Sequence, residues 1–177
     1  YIFLMKIKTL QIVLIFFLLL SKSVFSENKT LYFDLPYVMS NSLAGKSIIA
    51  QLSSMEKKFL NDYKKKEELL KTEEGKLISQ KKVLEKAEFV KKANMLAEKI
   101  KKHNQEKKKR LRDISKMKLQ AQAKLTDAVL KIVGVYAEKN SAALIIKKQG
   151  IIMGKTELEI TIDIMKSLDK KLKEIKL

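Results

Sequence analysis

The sequence predicts a mainly α protein with a small β body, of the α+β class. A long α-helical coiled-coil hairpin stands on a small body with three short strands. Three observations carry this. From Ser47 to about Lys139 there is no Pro and little Gly, charged residues dominate, and apolar ones recur at helical spacing. Short β-prone runs flank that stretch on both sides. One Pro and five Gly in 177 residues, with 33% charged, favour long helices over a sandwich or barrel, which needs many turns.

The first segment reads as an address. Met5 is a plausible initiator, followed by a positive stretch with Lys6 and Lys8. Leu10 to Leu20 is apolar except for Gln11, and Val24 and Ser26 occupy the −3 and −1 positions of a cut before Glu27. This is the layout of a cleavable secretory signal peptide, and the apolar core falls short of the roughly 20 residues that span a bilayer. Residues 1–26 are therefore expected to be removed and the mature chain exported. The cut removes three Lys and no acid, lowering the formal charge from +18 to +15.

In the mature chain, Leu31 to Asp34 is a strand ended by Leu35-Pro36. Pro36 suits the first turn of a short helix, Tyr37 to Leu43, with Asp34 as its N-cap. Gly45 is then expected to break the chain. Residues 27–46 and 140–177 form the body, and 47–139 the arm.

Along the arm Tyr63, Leu70, Leu77 and Leu84 fall at one heptad position. Leu111, Ile114, Ala121, Leu125, Ala128, Ile132 and Val135 fit a second register, with Lys118 intruding. The two registers disagree, which favours a hairpin. Its tip is expected within Lys91 to Asn104, where apolar residues thin out, and each arm helix would be roughly 60–70 Å long. Gly75 is a candidate bend. Beyond the arm, Ala143 to Lys147 is a second strand, Lys148-Gln149-Gly150 a turn, and Ile151 to Met153 a third strand. Ile160, Ile164, Leu168, Leu172 and Ile175 share one face of a final amphipathic helix. Leu31, Phe33, Leu144, Ile146 and Ile152 are the expected contacts of an oligomerisation body. About 70 residues make a weak core alone, and association is the expected remedy.

Little here suggests catalysis. With no Cys, a disulfide scaffold and a thiolate zinc site are excluded. A His-based triad would rest on His103 alone, which lies in a Lys-rich segment expected to be exposed. Acid pairs such as Glu67-Glu68 and Glu73-Glu74 sit among Lys at helical neighbour spacing and read as solvated ion pairs. Gly45-Lys46-Ser47 resembles the end of a phosphate-binding loop, but Ser40 stands where that motif needs Gly, so it reads as a helix start. No enzyme, metal or cofactor is expected.

The charge does look organised. Lys91 to Lys118 holds 12 Lys/Arg against Glu98, Glu106 and Asp113. Lys91, Lys92, Lys99, Lys101, Lys102, Lys107, Lys108, Lys109, Arg110 and Arg112 are the candidate collectors of acidic clients or anionic surfaces at the arm tip. A merely soluble face would mix signs. Aromatic residues for stacking nucleic-acid bases are absent from this segment. Leu69, Leu70, Leu77, Ile78, Val83, Leu84, Phe89, Val90 and Met95 are too many for one narrow seam. Leu70, Leu77, Leu84, Phe89 and Met95 are the candidate apolar contacts to an unfolded chain.

The order of these elements resembles the Skp (OmpH-like) periplasmic chaperone family. The matching features are the signal peptide, the strand Leu31 to Asp34 and the junction Ser42-Leu43-Ala44-Gly45-Lys46. They continue with the charged hairpin, the strand pair 143–153, and Glu159-Ile160-Thr161-Ile162-Asp163-Ile164-Met165, with Glu159 where Asp is usual. The resemblance implies a homotrimer whose helical arms enclose a cavity. It implies ATP-independent holding of unfolded outer-membrane β-barrel proteins. The basic charge adds the expectation of peripheral contact with anionic lipid or lipopolysaccharide. An exported coiled-coil adaptor of the cell envelope is the alternative. Nucleic acid is not an expected partner.

Overall fold

The computed structural model describes residues 29–177; the expected signal peptide lies outside them. Strand β1 (Lys29–Phe33) leads into helix α1 (Leu35–Asn41), then α2 (Leu43–Ser79) and α3 (Lys86–Lys139). Strand β2 (Ala142–Lys147) follows, and helix α4 (Thr161–Lys171) closes the order.

β1 and β2 pair in parallel, Leu31 opposite Ile145 and Phe33 opposite Lys147. Leu31, Tyr32 and Phe33 are all buried, as in a strand covered on both faces. The covering comes from α4 and the segment before it. The Ile160 amide donates to the Tyr32 carbonyl at 2.9 Å, and Tyr32 forms a single parallel bridge with Glu159.

The third strand expected at Ile151 to Met153 does not form. After β2 the chain takes a 3-10 turn over Lys148–Gly150, and Ile152 is fully exposed. Polar ties explain the departure. Lys148 Nζ lies 2.7 Å from Glu159 Oε1, and Gln149 Nε2 donates to Asp34 Oδ1 at 3.0 Å. They pull the turn across the end of β1 instead of letting it fold back along β2.

Asp34 caps α1 as expected, its Oδ1 accepting from the Tyr37 amide at 3.0 Å, with Pro36 in the first turn. The helix starts two residues before the expected Tyr37 and stops at Asn41. Ser42 then turns extended and caps α2, its Oγ accepting from the Gly45 amide at 3.2 Å. So Gly45 does not break the chain; it lies inside the first turn of α2. Its need for Gly comes from packing. A Cβ there would meet the Met39 carbonyl oxygen of α1 at 2.0 Å. The same hydrogen bond occupies the amide that a phosphate-binding loop would offer.

α2 has 37 residues and α3 has 54, about 55 Å and about 80 Å of helix. They form an antiparallel hairpin. Its tip is at Gln80–Glu85, not within Lys91 to Asn104, which runs as unbroken α3. The Val83 and Leu84 amides both donate to the Gln80 carbonyl, which turns the chain without Gly or Pro. The expected tip window stays helical because Leu96, Ile100 and His103 face α2. Gly75 makes no bend, since α2 continues through it to Ser79.

One core runs from the sheet into the root of the hairpin. It holds Leu31, Phe33, Val38, Ile48, Leu52, Ile114, Ala121, Leu125, Val129, Ile132, Ile160, Ile164 and Leu168. The α3 seam departs from the expected heptad at its ends. Leu111 and Val135 are exposed, while Val129 is fully buried. Val129 takes the inner place that the heptad assigns to Ala128, which is half-buried. On α4, Ile164 and Leu168 are buried as expected, with Ile160 before the helix and Ile175 beyond it on the same core. Gln51 of α2 clamps the last residues, donating to the Ile175 carbonyl at 2.8 Å and accepting from the Leu177 amide at 3.2 Å.

Two glycine substitutions separate packing from helix propensity. Gly45→Ala should lower stability by more than about 2 kcal/mol, because backbone must move to admit the methyl group. Gly75→Ala, with nothing within 4 Å of the new Cβ, should raise it by about 0.5–1 kcal/mol. Urea unfolding followed by circular dichroism checks both, and equal effects at the two sites would refute the crowding at Gly45.

Candidate functional site

The candidate residues of the arm lie on the outer hairpin. The candidate basic residues all lie on α3, along the returning helix and not at the tip. Several are engaged. Lys92 pairs with Glu88 at 2.9 Å, Lys101 with Glu98 at 3.4 Å, and Lys99 crosses to Glu73 on α2. Lys107 places its Nζ 4.3 Å from the centre of the Tyr63 ring. Lys91, Lys102, Lys108, Lys109, Arg110 and Arg112 form no ion pair among the described residues and point to solvent. The tip carries a different set, Lys81, Lys82 and Lys86 around Val83, which is 85% exposed. The sequence hides this set, because the densest run of basic residues lies elsewhere.

The candidate apolar residues divide. Leu70, Leu77, Leu84 and Phe89 are half-buried between the two helices, while Met95 is exposed. Leu60, Leu69, Ile78, Val83 and Val90 are exposed as well. Leu60, Leu69 and Ile78 alternate sides of α2, so they make scattered apolar points and no continuous stripe. The arm thus offers many small apolar contacts within a cationic field.

His103 corrects the sequence expectation. It is 4% exposed, in the seam and not in solvent. Its Lys neighbours point outward, but its own position shares a helix face with Leu96, Ile100 and Lys107. The ring stacks on Tyr63 of α2 with centroids 4.0 Å apart and planes 10° from parallel. The Tyr63 hydroxyl donates to Asn104 Oδ1 at 3.1 Å. Lys66 bonds Glu106 across the hairpin at 2.8 Å, and that contact holds the Glu106 carboxyl below the usual carboxylate range. No signal in the sequence singles out Tyr63 as the partner of His103, because the pairing depends on where the tip falls.

At the other end, the expected body residues split in two. Leu31 and Phe33 are spent on the chain's own core. Leu144 and Ile152 are exposed, Ile146 is half-buried, and Met153 and Val135 are exposed nearby in sequence. Glu159 acts as a hub. Lys148 bonds it at 2.7 Å and Thr161 Oγ1 donates to it at 2.9 Å, while Thr161 Oγ1 accepts from the Asp34 amide at 3.0 Å. The Lys148 bond, then the Thr161 bond, keeps the Glu159 carboxyl below its ordinary range, and the bond to Glu159 raises the Lys148 ammonium. Burial, then the Asp163 carboxylate, pushes the Tyr136 hydroxyl up. Among the described residues no group of His, Asp and Glu could hold a metal ion. No helix there is long and apolar enough to cross a membrane.

The sequence model described as outer membrane protein (OmpH-like) matches residues 29–168. The chain belongs to the OmpH-like family. The match spans both strands and the whole hairpin, so it covers the elements that place the arm. A crystal structure of a candidate outer membrane chaperone (OmpH-like) from Caulobacter crescentus CB15 superposes with a TM-score of 0.80. It is 15% identical and covers 84% of this chain and 88% of that one. At that identity the likeness is one of fold, and it extends to the small sheet with a long helical hairpin. A comparison with curated proteins gives no match.

The Glu159 hub yields a pH test. Its carboxyl is lowered in the folded chain, so its contribution is present above the unfolded carboxylate range and is lost as pH falls through the folded value. The melting temperature should fall on acidification through that range. Glu159→Gln should flatten part of the fall, and an identical slope in the variant would exclude the hub as its source.

Proposed function

We propose that this OmpH-like chain is an ATP-independent holdase of the periplasm. It binds unfolded outer-membrane β-barrel proteins between the helical arms of a homotrimer and prevents their aggregation. The observation that carries this reading is the outer hairpin, whose scattered exposed apolar residues lie among unpaired Lys and Arg. An unfolded barrel strand alternates apolar and polar residues, and many weak contacts suit it better than one shaped pocket.

The reading assigns residues 27–46 and 140–177 to the oligomerisation body and 47–139 to the arm. Exposed Leu144, Ile152 and Met153 supply apolar surface for contact between copies. Export with cleavage after Ser26 leaves each mature chain at +15, so three carry +45. Like-charged arms repel and hold the cavity open, while the same field attracts acidic clients. Peripheral contact with anionic lipid or lipopolysaccharide follows from the same charge, and no nucleic acid or catalytic step is needed.

The test dilutes a chemically unfolded outer-membrane β-barrel protein into buffer with the chain Glu27 to Leu177, without nucleotide. Light scattering should stay low, and the mass should be that of three chains. Free aggregation beside a well-folded oligomer would refute the holdase reading.

The electrostatic part is separable. Capture should weaken as salt rises, because the Debye length falls from about 10 Å at 0.1 M to about 3 Å at 1 M. Replacing Lys108, Lys109 and Arg110 with Glu should weaken capture roughly threefold to tenfold at low salt. Competition binding measures this, and affinity indifferent to both salt and charge reversal would leave only the apolar contacts.

A further inference from the structure

The two halves of the arm are held unequally. Toward the body, Ile114, Ala121, Leu125 and Val129 are buried in one continuous core. Toward the tip, Leu70, Leu77, Leu84 and Phe89 are only half-buried, and Leu96 is buried apart from that core. The stacked pair Tyr63–His103 lies between the two regimes.

His103 is the one residue of that seam whose charge can change near neutral pH. Its Nε2 is buried and has no hydrogen-bond partner. On a neutral ring carrying its proton at Nδ1, that atom is an acceptor without a donor. Protonation would turn it into a donor without an acceptor and add a buried charge.

One charged group near the ring, Glu106, attracts a protonated His103, but Lys66 is its first partner and the remaining near charges are mostly Lys. From α3 come Lys99, Lys102, Glu106 and Lys107; from α2 come Lys66 and Glu67. Glu106 is bound to Lys66, Lys99 to Glu73, and Glu67 is turned to Lys71 at 3.1 Å. Lys107 already draws on the Tyr63 ring that a charged imidazole would share. Separating the helices here would let water reach Nε2.

We propose that the Tyr63–His103 stack is a proton-operated latch: neutral His103 holds the outer half of the arm closed, and its protonation releases that half. The latch follows from the geometry of the seam and does not depend on the chain being a chaperone. Its consequence rests on that reading. An opened outer arm would bare Leu70, Leu77 and Phe89, adding apolar surface for an unfolded chain.

The test uses the assembled mature chain without a histidine tag. The chain has no Cys, so Cys at Ile78 and Met95 would carry spin labels on the two helices beyond the latch. One labelled chain per assembly is obtained by dilution with unlabelled chains. Between about pH 8 and about pH 5 the distance distribution should shift to longer values. For one linked proton the open population rises by up to about tenfold per pH unit. His103 is the chain's one histidine, so its C2–H resonance reports its protonation, and the two transitions should share a midpoint. His103→Phe, which keeps a stacked ring without a proton site, should remain closed across the range.

An unchanged distance, closer helices at low pH, two separate midpoints, or an equal response in His103→Phe would each overturn the latch. Closer helices would mean that Glu67 or Glu106 accepts the new N–H. Were His103→Phe to lose helicity, the coincidence of midpoints in the wild-type chain would decide alone. Aggregation suppression measured at both pH values then tests the consequence separately. A working latch with no holdase activity would refute the chaperone reading and leave the latch standing.

Discussion

Two strands that lie side by side and point the same way cannot be joined by a tight turn. β1 and β2 pair in this way, and the whole stretch from Asp34 to Ser141 is their crossover. The arm is therefore no appendage inserted into a finished body. It is the connection that makes the parallel pair possible, and the pair in turn fixes the spacing of its root. Closing so long an excursion has an entropic cost that grows only slowly with length. The root offsets it where α1, α3 and α4 meet: Val38, Val129, Ile164 and Leu168 are fully buried. Ser42 and Gly45 let α1 pass against the start of α2 at backbone contact, setting the angle at which the arm leaves.

Packing decays from that root outward. Continuous burial ends near Ile114, and beyond it the two helices rely on isolated Leu96, half-buried residues, one aromatic stack and cross-hairpin ion pairs such as Lys66–Glu106. Exposed ion pairs contribute little to stability. Local opening free energies should fall in the same direction, with the outer arm separating before the root yields. The proposed holding of many different chains would profit from this, because loosely held Leu, Phe and Met side chains can re-pack against each. Tyr63 and His103 stand where tight packing gives way to loose, so a small local change there can alter much of the arm.

Much of this was legible in the chain. Asp34 and Pro36 announce α1 through capping chemistry that is local and short in range. Ile160, Ile164 and Leu168 announce the buried face of α4 through period alone. The order of the elements, more than the Ser42–Lys46 junction or the Glu159–Met165 ending, pointed to the family that the match over residues 29–168 shows. The tip was not legible. Gln80–Glu85 turns by backbone hydrogen bonds to one carbonyl, without Gly or Pro, and nothing in its side chains punctuates the run. The Lys-rich surroundings of His103 read as solvent-facing, and a tip within Lys91 to Asn104 shifts every pairing across the hairpin, which hides Tyr63 as its partner. Ile151 to Met153 failed for another reason. Its β propensity is real, but Lys148–Glu159 and Gln149–Asp34 are long-range ties that no local window contains.

The exposed apolar residues fall into two physical classes, and the difference bears on what each is for. Those on the arm are separated along two helices and set among charges, an arrangement a soluble protein tolerates indefinitely. Those near the sheet are denser in sequence: Leu144 on β2, then Ile152 and Met153 just beyond its closing turn. Scattered points suit transient contact with an extended chain, whereas denser apolar surface beside a sheet calls for lasting cover. β2 also has one edge unpaired among the described strands, its only partner being β1. Unpaired strand edges invite pairing with another chain. On the proposed reading, lasting association at the sheet and temporary association along the arm would be different demands placed at opposite ends of the same hairpin. The length of helix between them would keep a loosened outer arm from disturbing the sheet end.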